Sequence, residues 1–261
     1  MNRSIIIAMV KRYLLVMRHD LNNIGEVFYE PAMQIFIWGL ASLYIKNATS
    51  QLPHIVVILL SGVVFWMITA NGQYSITVNF LYELWDRNLV NIFASPLRIR
   101  EWIISVMIVG FIRMLASLIF GIILTLFLYH TNLFQYGLLL IPFVASLLMT
   151  GWVIGFIVAG IIIRFGHTWQ SLAWTALPIF VPFSAVFFPV STLPLWAQKV
   201  TAFVPSSYVF EGMREIIFTN HMSFDKLLIS FALNTIYLVL SILFFVYMFK
   251  KSRKLGLGRL I

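Results

Sequence analysis

Long apolar runs separated by short charged segments dominate this chain of 261 residues. A helix needs about 20 apolar residues to cross the hydrocarbon core of a bilayer. Within lipid, only helices and closed barrels satisfy their own backbone hydrogen bonds. Apolar residues make up 61% of the chain and charged residues 10%, which is outside the range of soluble domains. The sequence therefore predicts an all-α integral membrane protein with a single membrane domain over residues 1–261.

Six of these runs are assigned as transmembrane helices within residues 24–249. The first, Pro31–Ile45, has only 15 residues, so it must draw on Ile24–Glu30, which places Glu26 and Glu30 at the inner boundary. The other five are about His54–Phe80, Trp102–Tyr129, Gly137–Ile163, Ser171–Phe188 and Leu227–Phe249.

Residues 1–23 have the pattern of an amphipathic helix. The apolar residues that share one face at helical spacing are Ile6, Met9, Val10, Tyr13 and Met17. Lys11 and Arg18 fall on the opposite face. This pattern is typical of a helix in the cytoplasmic interface, which either only anchors the chain to lipid or also presents basic side chains to lipid headgroups or a partner.

The segment before the last span contains five prolines: Pro178, Pro182, Pro189, Pro194 and Pro205. Proline stops or kinks helices, so this apolar stretch cannot be one smooth span. Two short helices are predicted instead, at about Leu193–Phe203 and Ser207–Phe218. We expect residues 189–220 to form a re-entrant or interfacial helical hairpin between the fifth and sixth spans.

The distribution of Lys and Arg predicts the topology. Four lie on the predicted outer side: Lys46, Lys199, Arg214 and Lys226. Thirteen lie on the predicted inner side: Arg3, Lys11, Arg12, Arg18, Arg87, Arg98, Arg100, Arg164, Lys250, Lys251, Arg253, Lys254 and Arg259. By the positive-inside rule both termini are cytoplasmic, including the basic tail of residues 250–261, and the hairpin faces out. The net charge of +9 thus indicates topology and gives no reason to expect a nucleic-acid partner.

The inner loop at residues 81–101 carries a compact charged element. Glu83 and Arg87 are spaced for an i,i+4 ion pair, and Leu84, Asn88 and Asn91 continue a short helix. Ser95-Pro96 ends it, because a residue before proline avoids the helical region. The element is either a rigid piece that receives force from a cytoplasmic partner or a solvated connector.

Two stretches resemble the permease subunits of type-2 ATP-binding-cassette (ABC) exporters. One is Glu83–Glu101. The other, Phe188–Glu215, has a Phe-Pro, a Leu-Pro-x-Trp, a Pro-x-x-Tyr and a closing Glu-x-x-Arg. The family also resembles this chain in its inner-face helix, six spans and two short outer helices. Asn88-Leu89 departs from it, since relatives often place a glycine after the basic residue.

The resemblance implies a role for each of these motifs. The coupling helix that docks into an ATPase subunit would be formed by Glu83, Trp85, Asp86, Arg87 and Asn88. The outer gate would be formed by Phe188, Pro189, Leu193, Pro194, Trp196, Pro205 and Tyr208. Glu211 and Arg214 either contact a leaving substrate at the mouth or form a structural pair.

The resemblance also implies the partners. Two ATP-binding subunits would hold ATP and Mg²⁺, a second permease chain would complete a dimer, and the assembly would sit in a bacterial inner membrane. The sequence contains no GxxxxGK[ST] phosphate-binding loop; after Gly155 and Gly160 comes Ile161. Its five histidines lack metal-ligand spacing. We therefore expect no cofactor, metal or catalytic site on this chain.

Polar residues within the spans allow two readings, helix packing or the lining of a cavity. They include Asn71, Gln73, Arg113 and Asn234. Asn71 or Gln73 is expected to pair with Arg113, unless this side chain snorkels toward the cytoplasm, because no acid is predicted at its depth. A small-residue face at Gly151 and Gly155 fits helix packing.

An aromatic cavity with few charges would suit an amphiphilic cargo, such as a drug, a lipid or a lipid-linked glycan. A permease specific for polysaccharides or glycoconjugates stays open as an alternative. So does an ion-coupled secondary transporter, which would need internal repeats and acids near the midplane. The sequence shows no repeat, and its nine acids are expected in loops or at span ends.

Overall fold

The computed structural model describes residues 2–48, 55–131, 140–219 and 224–255, and its regular elements there are all helical. The α-helices are α1 Arg3–His19, α2 Leu21–Ile24, α3 Glu30–Ala48, α4 Ile55–Trp85, α5 Leu89–Ala94, α6 Ile99–Tyr129, α7 Ile141–Phe165, α8 Leu172–Phe180, α9 Leu195–Thr201, α10 Pro205–Thr219 and α11 Phe224–Lys254. A π-helical turn, Gly25–Tyr29, joins α2 to α3. The all-α prediction is confirmed.

Four of these helices are long and apolar enough to cross a membrane: α4, α6, α7 and α11. They correspond to the predicted second, third, fourth and sixth spans, although His54 and Gly137, where two of those spans were predicted to begin, lie outside the described residues. In the bundle, α7 packs against α4 on one side and α11 on the other, while α6 packs against α4. The helices α4 and α7 are therefore the most buried part of the bundle.

Glycines allow α4 and α7 to approach closely. A Cβ atom on Gly151 would lie 2.3 Å from the carbonyl oxygen of Thr69, and one on Gly155 would lie 3.0 Å from Ile76. Real side chains do not tolerate the first distance, so the helix contact requires glycine there. The predicted small-residue face is confirmed as a helix-packing surface.

The region of the first predicted span differs from the expectation. The helical path starts at Leu21, passes through the π-helical turn and continues as α3 to Ala48. Glu26 does not lie at an inner boundary, since it meets Arg113, fourteen residues into α6 and about 21 Å along that helix. The prediction for Glu26 was wrong because α1 and α2 pack against the bundle, so that α3 begins beside the middle of α6.

The fifth predicted span is also shorter than expected. The apolar helical segment covers Leu172–Phe183, formed by α8 and one 3₁₀ turn, and does not extend to Phe188. Pro178 lies inside α8, and Pro182 lies in the 3₁₀ turn. Because proline removes a backbone donor and tightens the last turn, this helix ends early. At about 18 Å it reaches only part of the way across a hydrocarbon core.

The two short helices after the prolines are present as α9 and α10, the first shorter than predicted. The packing around α1 confirms its predicted apolar face. Ile6 and Tyr13 are buried, while Met9 and Val10 pack against the core. Trp102 on α6 donates to the Tyr13 hydroxyl at 2.9 Å.

We define the basic end of the bundle as the end where α4, α7 and α11 finish and α6 begins. Ser252 on α11 donates to the Ile163 carbonyl of α7 at 2.7 Å, and Asn2 before α1 donates to Glu101 on α6 at 2.8 Å. The thirteen cations predicted for the inner side belong to this end, except Arg259, which lies outside the described residues. The other four belong to the opposite end.

Candidate functional site

A cavity of about 300 Å³ lies between α3, α4 and α8. Along α3 and the turn before it, every fourth residue faces this cavity: Glu26, Glu30, Gln34 and Trp38. Residues four apart share one helix face, so the segment presents a single stripe of two carboxylates, one amide and one indole. We refer to these four residues as the α3 stripe.

The remaining cavity walls are apolar and aromatic. The α4 wall includes Trp66 and Tyr74, and α8 contributes Leu177 and Pro178. Phe187, in the loop after α8, closes one side by stacking on Trp38 of the α3 stripe, with ring centroids 4.1 Å apart. The cavity is thus bounded by elements from three separate parts of the chain.

Asn71 is the predicted polar residue that lines this cavity. It is 2% exposed, and its Nδ2 donates to the Met67 carbonyl at 2.9 Å. Its buried Oδ1 has no hydrogen-bond partner among the described residues. A buried carbonyl oxygen without a hydrogen-bond partner is costly.

Arg113 is buried beside the cavity and binds acidic and amide groups that the sequence did not suggest. Its guanidinium donates to Glu26 at 2.8 Å and to Asn23 at 2.9 Å. The expected pairing with Asn71 or Gln73 is wrong, and so is the expectation that no acid lies at this depth. The reason is that α2 and the π-helical turn pack beside α6. Asn23 of α2 and Glu26 of the turn therefore lie next to Arg113.

The other two predicted cavity residues hold helices together. Gln73 donates to the Ala173 carbonyl at 2.7 Å and so joins α4 to α8. Asn234 on α11 accepts from Thr150 and donates to Ser146, both at 2.9 Å, and so joins α11 to α7. Asn234 also borders a second cavity of about 490 Å³, whose lining is almost wholly apolar. Its lining residues include no Asp, Glu, Lys, Arg or His, so this cavity offers no charged group for selecting a ligand.

At the basic end, Glu83 is the centre of a polar network. This carboxylate is 2% exposed; it accepts two hydrogen bonds from the Arg12 guanidinium and a third from Asn88 at 2.9 Å. The predicted pair with Arg87 is wrong, because α4 ends at Trp85 and Arg87 lies in the following turn with φ 55°. A residue in that turn no longer follows the i,i+4 spacing of the helix.

The residues predicted for the coupling helix therefore occupy the end of α4 and the turn into α5. Trp85, Asp86 and Arg87 are exposed. The Trp85 indole donates to Gln170 at 3.0 Å and stacks on Trp174 at 6.1 Å. The predicted single short helix is interrupted, because Glu83 and Leu84 lie at the end of α4 and Asn88 lies in the turn, so that only Asn91 lies in α5. The predicted stop is confirmed, since α5 ends at Ala94 with Ser95 as its C-cap, directly before the proline. An exposed surface backed by a buried carboxylate is suited to contact a partner.

At the opposite end, Arg214 holds α10 against the loop that follows α8. Its guanidinium, 8% exposed as a residue, donates to the carbonyls of Ala185 and Val186 and to Glu211 at 3.1 Å. Glu211 also accepts from the Val190 backbone at 2.9 Å. These contacts favour the structural reading of the Glu211–Arg214 pair.

The other predicted gate residues differ in exposure. Phe188, Pro189, Pro194 and Trp196 are exposed, Leu193 and Tyr208 are half-buried, and Pro205 is buried. Of the two adjacent phenylalanines, Phe187 lines the cavity and Phe188 does not. The predicted gate residues thus differ in exposure, and none of them is among the residues that line the cavity.

Sequence reasoning missed the α3 stripe and Arg12. The spacing of Glu26, Glu30, Gln34 and Trp38 was a readable signal, since four polar or aromatic residues recur every fourth position. Arg12 gave no comparable signal, because its partner lies 71 residues away.

Comparison with known proteins identifies the family of this chain. No curated protein sequence matches the chain. The family model described as ABC-2 type transporter matches residues 5–218, from α1 to the end of α10. This match covers most of the chain, including the cavity helices, the turn between α4 and α5, and the proline-rich region. It shows that the chain is a membrane permease domain of the ABC-2 type transporter family.

Proposed function

We propose that this chain is the permease subunit of an ATP-driven exporter that moves an amphiphilic substrate from the cytoplasmic side outward. Two ATP-binding subunits, which carry ATP and Mg²⁺, supply the energy, and a second permease chain completes the pathway. In this arrangement α3 and α8 act as the first and fifth of six membrane segments, and α9 and α10 form an outer hairpin. The chain itself contributes no phosphate-binding loop.

The observation that carries this proposal is the position of the α3 stripe. Glu30 and Gln34 are exposed on a helix whose neighbouring surface residues are apolar, such as Phe36 and Ile37. A charged side chain facing lipid is costly, so such residues normally face protein or a watery cavity. We infer that this face lies on the transport pathway and is covered by the second permease chain.

One helix, α4, connects the basic end of the bundle to the cavity. Asn71 of the cavity and Glu83 of the basic end both lie on α4, about 18 Å apart along the helix. A displacement of the turn at Asp86 and Arg87 by a closing ATPase pair would move α4 as a rigid rod. Alternating access requires such rigid helices between two arrangements, and no chemistry by the permease.

The proposed orientation follows from charge. The basic end faces the cytoplasm by the positive-inside rule, which places both termini there and puts the hairpin outside. The inner membrane of a bacterial cell is the location that fits this chain. Glu26 lies at the depth where an ion-coupled transporter would need an acid, but it is paired with Arg113, which favours the ATP-driven reading.

The direct experiment is co-purification with an ATP-binding cassette protein encoded beside this chain, followed by reconstitution in vesicles. We expect substrate-stimulated ATP hydrolysis and ATP-dependent transport. Arg87→Ala removes an exposed side chain from the coupling turn and should abolish the stimulation. Lys199→Ala removes an exposed cation from α9 at the opposite end and serves as the matched control.

Two results would contradict the proposal. One is solute movement by the purified permease down an ion gradient without any nucleotide-binding partner. The other is full coupling in both Arg87→Ala and Glu83→Ala, which would remove the coupling role from this turn.

A further inference from the structure

The charges around the cavity do not cancel. Two carboxylates line it, those of Glu26 and Glu30. Arg113 neutralises Glu26 through the 2.8 Å contact, whereas Glu30 has no ion-pair partner among the described residues. The cavity and its wall therefore carry one negative charge in excess.

Glu30 is the carboxylate that a ligand in the cavity can reach. It is exposed, whereas Glu26 is held by Arg113. A carboxylate favours ligands that are positively charged or donate hydrogen bonds, and it does not attract an anion.

The aromatic walls add a second contribution. Trp38, Trp66 and Phe187 line the same space as Glu30. The faces of aromatic rings attract cations, with tryptophan the strongest. The same rings also bury the apolar body of an organic molecule, which a metal ion does not have.

We propose that this cavity selects organic monocations, such as ammonium compounds with an apolar or aromatic body. The single excess charge sets the preferred charge of the ligand at +1. The volume of about 300 Å³ is at the lower end for ligand pockets and accommodates a cationic head with one ring. As a substrate class, this inference rests on the proposed function; as a binding preference, it is testable on the permease alone.

The test compares three soluble compounds with one aromatic ring and different charge: benzyltrimethylammonium, benzyl alcohol and benzenesulfonate. Binding to the purified permease in a neutral maltoside detergent is measured by calorimetry. Because one carboxylate faces the ligand at close range, we expect the cation to bind about ten-fold or more tightly than benzyl alcohol, and the sulfonate not to bind.

Glu30→Gln keeps the shape of the side chain and removes its charge. We expect it to weaken cation binding by about ten-fold while leaving benzyl alcohol binding unchanged. Asp225→Asn, which neutralises an exposed carboxylate at the start of α11, is the matched control and should keep the full preference. Equal binding of cation and alcohol by the native chain, or an undiminished preference in Glu30→Gln, would overturn the inference.

The result of the cation-binding test can be separated from the result of the ATP-dependent transport test. If the cation binds as expected but the reconstituted complex shows no ATP-dependent transport, the exporter proposal fails and the cavity preference stands. If transport occurs and the cation preference is absent, the exporter proposal stands and this inference is wrong.

Discussion

Arg12 on α1 and Glu83 at the end of α4 form a two-point ion pair across 71 residues of sequence. Glu83 is 2% exposed, and the Arg12 side chain is 36% exposed. The hydrogen bonds to Glu83 raise the pKa of the Arg12 guanidinium. The pair fixes the interface helix to the helix that also forms the cavity wall, so α1, the coupling turn and α4 are expected to move together.

Removing Arg12 should therefore weaken the coupling between ATP hydrolysis by the partner subunits and substrate transport by the permease. We expect Arg12→Ala to leave the Glu83 carboxylate buried without its cation, which lowers the apparent melting temperature and the substrate-stimulated ATPase rate of the complex. A buried carboxylate that loses its cation costs about 3–5 kcal/mol, less here because Arg12 is partly exposed.

Lys11→Ala is the matched control, because Lys11 is the adjacent residue on the exposed face of α1. A coupling role for the ion pair would be refuted if both variants reduced stimulation equally, since general loss of positive charge would then explain the effect.

Hydropathy was sufficient to predict the four long apolar helices. The runs that became α4, α6, α7 and α11 are long and uninterrupted, so their existence follows from the length requirement of a membrane crossing. The extent of α8 was not predictable in the same way. Its apolar run continues to Phe188, but Pro178 and Pro182 shorten the helix, and composition does not report where the backbone stops being helical.

The Arg113–Glu26 pair should show strong energetic coupling. We expect Arg113→Met alone to destabilise the protein by about 3–5 kcal/mol, because it leaves Glu26 partly buried without a cation. Replacing both residues, with Arg113→Met and Glu26→Leu, should cost less than the sum of the two single changes. Thermal unfolding in detergent, arranged as a double-mutant cycle, measures this difference.

Strict additivity in that cycle would contradict the prediction. Arg18→Met provides the control for loss of an arginine, since Arg18 is exposed on α1 and should change stability by less than about 0.5 kcal/mol.

The Glu26–Arg113 ion pair and the cavity illustrate what sequence patterns leave open. Glu26 and Arg113 lie 87 residues apart, and their contact depends on the π-helical turn, which changes the phase of the helix before α3. Apolar periodicity contains no sign of such a turn. The α3 stripe, by contrast, was present in the spacing and was missed because Glu26 and Glu30 were assigned to a membrane boundary.

Gly151 should not tolerate even one added methyl group. In Gly151→Ala the new Cβ would lie 2.3 Å from the Thr69 carbonyl oxygen, so α4 and α7 must separate. We expect a loss of about 1–3 kcal/mol, measured as a lower apparent melting temperature. Gly25→Ala is the control, because its Cβ would meet no atom within 4 Å. Equal effects of the two changes would show that the helix contact is not the cause.

The absence of cysteine from the sequence makes the topology directly measurable. Single variants Arg100→Cys at the basic end and Lys199→Cys on α9 each place one thiol on an exposed position. In intact cells, a membrane-impermeant maleimide should label Lys199→Cys only, and permeabilised cells should allow labelling of both. Labelling of Arg100→Cys in intact cells would reverse the proposed orientation.

Arg214 distinguishes a structural clamp from a substrate contact. Its guanidinium reaches two carbonyls and Glu211 at once, a geometry that a single ammonium group cannot reproduce. We therefore expect Arg214→Lys to lower stability by about 1.5–3 kcal/mol despite the conserved charge, and Arg214→Ala to reduce the yield of folded protein further. Lys199→Ala, which removes an exposed cation nearby on α9, should have neither effect. If Arg214→Lys kept native stability and lost only transport, the residue would act on the substrate at the outer mouth, because a clamp cannot be lost without loosening the segment around Ala185.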